Sequence, residues 1–184
     1  MASEIARIHK YTYREFQWFP NDGNRHEVID GDHYMNPAPS LRHQTVSRRL
    51  QYQLYTQLEL TGRGQVFNAP TDVELAVHDI VEPDLIVVLK EKYQLLNPKR
   101  IRGVPDLVVE ILSPSNPNYD RVLKLEMYRR VQLPEYWIVE PEDDFVEVYA
   151  QRDSQLQLIG TYRDQLVPQS IPDIRIDLSQ VWLR

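Results

Sequence analysis

The chain has 184 residues, with 21 Lys and Arg against 27 Asp and Glu, a formal net charge of −6. Hydrophobic residues make up 42% and charged ones 26%, values of a single globular domain that exclude disordered and fibrous chains. It has no cysteine, so disulfide scaffolds, thiolate zinc sites, iron–sulfur clusters and a cysteine nucleophile are excluded, and any metal must sit on oxygen or imidazole ligands.

No apolar run approaches the roughly 18 residues that cross a bilayer, and Met1–Lys10 has no apolar signal core and already carries Glu4. A soluble, cytoplasmic protein is expected, one domain over 1–184 with 1–10 poorly ordered. The acidic balance argues against coating DNA by bulk charge, but not against a local basic groove.

The first predicted element is a short helix from Thr12 to Phe19, stopped by Pro20 and followed by the turn Asn21-Asp22-Gly23-Asn24. His26-Glu27-Val28-Ile29-Asp30, Gly31-Asp32 and His33-Tyr34-Met35 read as a hairpin with a tight Asp-Gly turn. Ser40 to Leu60 is the clearest helix. Ser40 caps it, Val46, Leu50, Leu54 and Leu58 recur four apart, and Gly62 stops it.

Gln65–Asn68 and Thr71–Val77 follow as strands. Asp84-Leu85-Ile86-Val87-Val88-Leu89 and Asp106-Leu107-Val108-Val109-Glu110-Ile111-Leu112 are apolar on both faces except for Glu110 and the leading acids. Such strands suit the centre of a sheet covered on both sides. Tyr119–Val131 reads as a helix capped by Asn118, with Val122, Leu125 and Val131 as its packing side. Tyr136–Val139 is another buried strand, Phe145–Arg163 alternates as a strand pair, and Ile174–Leu178 ends the chain as a short strand. The expected fold is a mixed α/β sheet with helices on both faces.

Glu110 is the informative position. It interrupts an apolar strand on the same side as Val108 and Leu112, where an unpaired carboxylate costs several kcal/mol, about as much as any buried charge without a partner. It therefore needs a cation: a structural Arg or Lys, or a metal. Asp84 opens the earlier buried strand, and neighbouring strands would bring both carboxylates to one sheet end. Two converging carboxylates suit Mg2+ or Mn2+, with phosphate and water completing the shell. Asp120, Lys124 and Tyr128, four apart, form one stripe of the following helix. Lys124 there either serves a phosphate or an attacking water, or forms a solvated pair with Asp120.

Glu82-Pro83-Asp84-Leu85, Val109-Glu110-Ile111-Leu112-Ser113-Pro114-Ser115, then Asp120, Lys124 and Tyr128, and Glu135-Tyr136-Trp137-Ile138-Val139 together resemble the bacterial "putative restriction endonuclease" family of the PD-(D/E)XK nuclease superfamily. The likeness extends upstream to His26–Gly31 and His43, covering roughly residues 10–180. It implies a restriction-endonuclease-like fold, with a mixed central sheet, flanking helices and added antiparallel strands at both ends of the chain. It also implies Mg2+- or Mn2+-dependent DNA hydrolysis. Asp84 matches the PD aspartate and Glu110 the second acid, both as metal ligands. Leu112 stands where the superfamily places its lysine, so Lys124 would have to replace it from the helix.

Glu27 would support the metal as an N-terminal acid, and Tyr128 would orient the lysine. His43 would touch Glu27 or a phosphate, or simply pack at the helix start. Ser113-Pro114-Ser115 reads as a rigid turn. Between Lys90 and Arg130, nine basic residues face five acids, and Lys99, Arg100 and Arg102 form a loop suited to phosphate contacts. Cutting both strands would favour a homodimer, with the Phe145–Arg163 hairpin as its edge. The alternative is a non-catalytic descendant of the nuclease fold that acts as a DNA-binding or protein-interaction module.

Overall fold

The computed structural model describes residues 9–113 and 119–183. Most of residues 1–10, the Pro114-Ser115 part of the expected turn and the Asn118 cap lie outside them. Thr12 opens α1 (Tyr13–Phe16) with a capping box closed by Glu15; the helix is shorter than its pattern suggests. Strands β1 (Arg25–Ile29) and β2 (Asp32–Asn36) form the expected hairpin. Its turn residues Asp30 and Gly31 have φ of +48° and +82°, the left-handed pair a two-residue hairpin needs.

Ser40 caps α2 (Leu41–Leu58) by accepting from the His43 amide. Next come β3 (Gly64–Asn68), β4 (Val73–Ala76), β5 (Asp79–Val81) and β6 (Leu85–Leu89). The expected loop around Asn97–Gly103 is instead a two-strand ribbon, β7 (Leu96–Asn97) and β8 (Arg100–Arg102). After β9 (Leu107–Ile111) a π-helical turn, Tyr119–Lys124, runs into α3 (Leu125–Arg130). The rest is β10 (Glu135–Glu140), β11 (Phe145–Arg152), β12 (Gln155–Tyr162) and the short pair β13 (Gln165–Leu166) and β14 (Ile176–Asp177).

These strands build two six-stranded sheets, so the added N-terminal strands form a layer of their own. The central sheet has the order β12-β11-β10-β9-β6-β3, and the second has β2-β1-β5-β4-β8-β7. In the central sheet only β9 and β10 run parallel. One face is covered by α2 and the C-terminal segment: Val46, Leu50, Leu54 and Leu58 share a core with Leu85, Val87, Leu107, Val109, Ile174 and Trp182. Gln53 and Gln57 clamp that segment, each amide exchanging two hydrogen bonds with the backbone of Asp177 or Arg175. The other face meets α3 and the second sheet, joining Ile86, Val88, Val108 and Ile138 to Ile29, Val81, Leu125 and Met127. Val122, expected to pack, is 63% exposed, because the wide π turn swings it outward. Among the described residues no helix is long and apolar enough to cross a membrane.

Candidate active site

The site forms where three pieces of chain meet the end of β6 and β9. These strands pair antiparallel with Leu85 opposite Val109, and continuing that register sets Asp84 across from Glu110. The Ile111 amide donates to Asp84 Oδ2 at 2.7 Å, fixing the carboxylate at this end. Strand β1 contributes Arg25 and Glu27, the first turn of α2 contributes His43, and the π turn with α3 contributes Tyr119, Asp120, Lys124 and Tyr128.

Lys124, 1% exposed, is the hub. Its ammonium lies 2.8 Å from Glu110 Oε1, 3.0 Å from Glu27 Oε1 and 3.6 Å from Asp120 Oδ1. A solvated Asp120–Lys124 pair is thereby excluded. Burial works against the charged lysine, but the three carboxylates outweigh it and hold its pKa well above the ordinary value. One cation cannot neutralise three acids. Glu27, although fully buried, stays below the usual carboxylate range, because Lys124, the Glu82 amide (2.9 Å) and Arg25 favour its anion. Asn36 (2.8 Å) and Tyr119 (2.9 Å) donate to its other oxygen.

Glu110 and Asp120 carry the cost. Burial together with the neighbouring carboxylates pushes Glu110 up to about 8 and Asp120 to about 6, against the pull of Lys124. Tyr128 donates to Glu110 Oε1 at 2.9 Å. It thus reaches the shared carboxylate and not the lysine, and burial and the Glu110 charge keep its hydroxyl protonated.

Asp84 behaves oppositely. Arg25 donates to Oδ1 at 2.6 Å, and His43 Nε2 lies 3.0 Å from Oδ2. Burial raises its pKa, but His43, Arg25 and the Ile111 amide together hold it down at about 2. An ionised carboxylate can only accept, so His43 donates from Nε2. His43 therefore meets Asp84, not Glu27. Among the described residues its Nδ1 and the Nε of Arg25 are buried without a hydrogen-bond partner.

Two clefts flank these residues. One, of about 230 Å3, is lined by Arg25, His43, Asp84, Glu110, Asp120 and Lys124 among others, so Glu110 pairs with a lysine and still borders open space. The second, of about 500 Å3, lies beyond Arg25, His43 and Asp84, which line both. Glu82 borders it, its carboxyl raised to about 7 by burial, Asp72 and Glu27.

Asp84, Glu110, Lys124, Glu27, Asp120, His43 and Tyr128 therefore come together. Lys99, Arg100 and Arg102 line neither cleft. Arg100 is bound to Glu74 at 2.6 Å and stacks on Tyr13, while Arg102 is 71% exposed. Sequence reasoning missed Arg25, Asn36 and Tyr119. Arg25 and Asn36 were legible in principle as paired ends of the hairpin carrying Glu27; Tyr119 gave no signal beyond its place before Asp120.

The donor set suits a hard divalent cation. Among the described residues, Glu27, Asp84, Glu110 and Asp120 crowd around Arg25, Lys124 and the His43 imidazole, and mutual repulsion of crowded carboxylates is what such an ion relieves. Among the described residues no three acidic or imidazole side chains converge as a ready-made cage.

Comparison with known proteins shows the family and the fold. The model of the Uma2 family, described as "Putative restriction endonuclease", matches residues 12–179. A Synechocystis protein named "Uncharacterized protein slr1290" is 28% identical over 174 residues, covering 92% of this chain and 90% of that one. The crystal structure of "a putative nuclease belonging to DUF820" from Anabaena variabilis superposes with a TM-score of 0.76 at 17% identity, covering 94% of this chain and 97% of that one.

Proposed function

The chain belongs to the Uma2 "Putative restriction endonuclease" family, and from that premise we propose that it is a Mg2+- or Mn2+-dependent endodeoxyribonuclease. The observation that carries this reading is the carboxylate surplus around Lys124 at the mouth of an open cleft. Asp84 and Glu110 would hold the ion, which when bound lowers the pKa of water and offsets charge on the phosphodiester.

The side chains divide the remaining work. Lys124, with its pKa held high, is a fixed positive charge and not a base, so it stabilises a phosphate oxygen as negative charge grows there. It replaces the lysine absent at Leu112. Arg25 and His43 hold Asp84 ionised and aimed. Tyr128 and Glu27 restrain Glu110 and Lys124. Asp120, poised at about 6, is the group best placed to exchange a proton near neutral pH.

Purified protein should nick supercoiled plasmid with Mg2+ or Mn2+ and lose that nicking in EDTA. Glu110→Ala should abolish it, and persistent nicking by the variant would remove Glu110 from the reaction. One observation favours the non-catalytic alternative: both Asp84 oxygens already have partners in Arg25, His43 and Ile111. That reading predicts no heat on calorimetric titration with Mn2+. The unpaired edge of β12, eight residues without a charge, is the surface through which two copies would pair, and a monomer across a sedimentation concentration series would count against it.

A further inference from the structure

We propose that the 500 Å3 cleft beyond Arg25, His43 and Asp84 takes an unstacked nucleobase of the substrate strand, beside the phosphate to be cut. This rests on the nuclease reading and deepens it by naming the substrate class: DNA with an unpaired or easily unpaired nucleotide.

Arg25, Pro39, His43 and Asp84 line both clefts, so a nucleotide with its phosphate in one has its base at the entrance of the other. The chemistry of the second cleft suits a base and not a second phosphate. Its charged lining residues besides Arg25 and His43 are the acids Asp72, Glu82 and Asp84, and Arg25 is already committed to Asp84. An anion would be repelled there. A neutral flat group with mixed donors and acceptors would not.

Phe16 and Phe19 supply an aromatic wall, while Asn24 and Gln44 supply amides that both donate and accept. The Glu82 carboxyl is half-buried and has no hydrogen-bond partner among the described residues, leaving it available to the N–H groups of a base edge. Stacking on an aromatic ring plus hydrogen bonds to the base edge is how extruded bases are held. The volume also falls in the range of small-molecule sites, about 300–1,000 Å3.

The test is fluorescence anisotropy with the full chain in EDTA, comparing a labelled paired duplex with the same duplex carrying one unpaired nucleotide. Because extrusion is least costly for an unpaired base, the second should bind about tenfold tighter. Phe19→Ala and Glu82→Gln should each shrink that ratio at least threefold, with folding checked by thermal melting. Gln44→Ala, at an exposed position, should shrink it in the same direction and serves if Phe19→Ala melts early. Equal binding of the two duplexes, or a ratio that survives all three variants, overturns the subsite and leaves the nuclease reading standing. Failure to bind any DNA overturns the nuclease reading itself, and the subsite with it.

Discussion

Glu110 and Glu135 sit on neighbouring parallel strands, three positions apart in register, and both are almost wholly buried. Glu135 is surrounded by neutral donors: the Trp137 indole at 2.7 Å, and the amide and hydroxyl of Ser170 at 2.6 and 2.7 Å. Both its oxygens accept hydrogen bonds, and it lines neither flanking cleft. Glu110 instead shares one ammonium with Glu27 and Asp120 and borders a cleft. The two acids thus differ in their surroundings: neutral donors at Glu135, competing carboxylates and open space at Glu110, and the second setting is the kind in which functional groups are found.

The contrast breaks most visibly at Lys124. Lys124→Met should leave the acids without their cation and cost about 3–5 kcal/mol in urea unfolding at neutral pH. Nicking should fall by roughly 10²-fold or more. Adding Glu110→Gln should restore part of the stability and none of the nicking; a fully additive double variant would mean that the two groups are not coupled.

Glu135→Ala should cost less, about 1–3 kcal/mol for donors left without an acceptor, with nicking rates unchanged. A Glu135 variant that folds but no longer nicks would dissolve the distinction between the two acids.

A subtler difference lies in pH. Glu110 rises in the folded state from its ordinary 4.5 to about 8, so between those values the folded protein holds a proton that the unfolded chain has released. Stability must fall as pH rises through that window, by at most about 1.4 kcal/mol per unit for one proton. Glu110→Gln should flatten this part of the profile in EDTA, less the share contributed by Asp120 below about 6. Asp84 has the opposite sign: depressed to about 2, it stabilises above 3.8 and its contribution disappears as pH falls toward 2. A wild-type and Glu110→Gln pair with parallel profiles would show that Glu110 titrates normally.

The smallest effects belong to the β7–β8 ribbon. Lys99→Ala and Arg102→Ala should leave stability within about 0.5 kcal/mol. Each should lower the salt slope of DNA binding by about one if the ribbon touches phosphate, and an unchanged slope would confine binding to the clefts.

Much of this was written in local pattern. The four-residue spacing of Val46, Leu50, Leu54 and Leu58 located α2 and its buried face, and the interruption at Glu110 located the strand end where the buried carboxylates gather. The stripe Asp120, Lys124 and Tyr128 did converge there, because side chains one turn apart share a helix side. Arg25 and the His43–Asp84 pair were not legible as partners, since the first depends on how the β1–β2 hairpin crosses the central sheet and the second on how α2 lies against it. Glu135 heads its strand where Glu110 interrupts one, but the neutral donors around Glu135 were not legible, because Ser170 lies 35 residues away. Short strands such as β5 and the β7–β8 ribbon escaped because two or three residues carry too little periodicity to read.

The turn before α3 has an evolutionary corollary. Val122 is 63% exposed and touches little, so its identity should drift freely. Its presence should not. The π winding from Tyr119 to Lys124 accommodates one residue more than an α turn, and deleting Val122 would rotate Tyr119 and Asp120 by about 100° relative to Lys124. Related chains should therefore vary the letter at this place while conserving the count, and a one-residue gap there would mark a lineage that no longer gathers Tyr119 and Asp120 around Lys124.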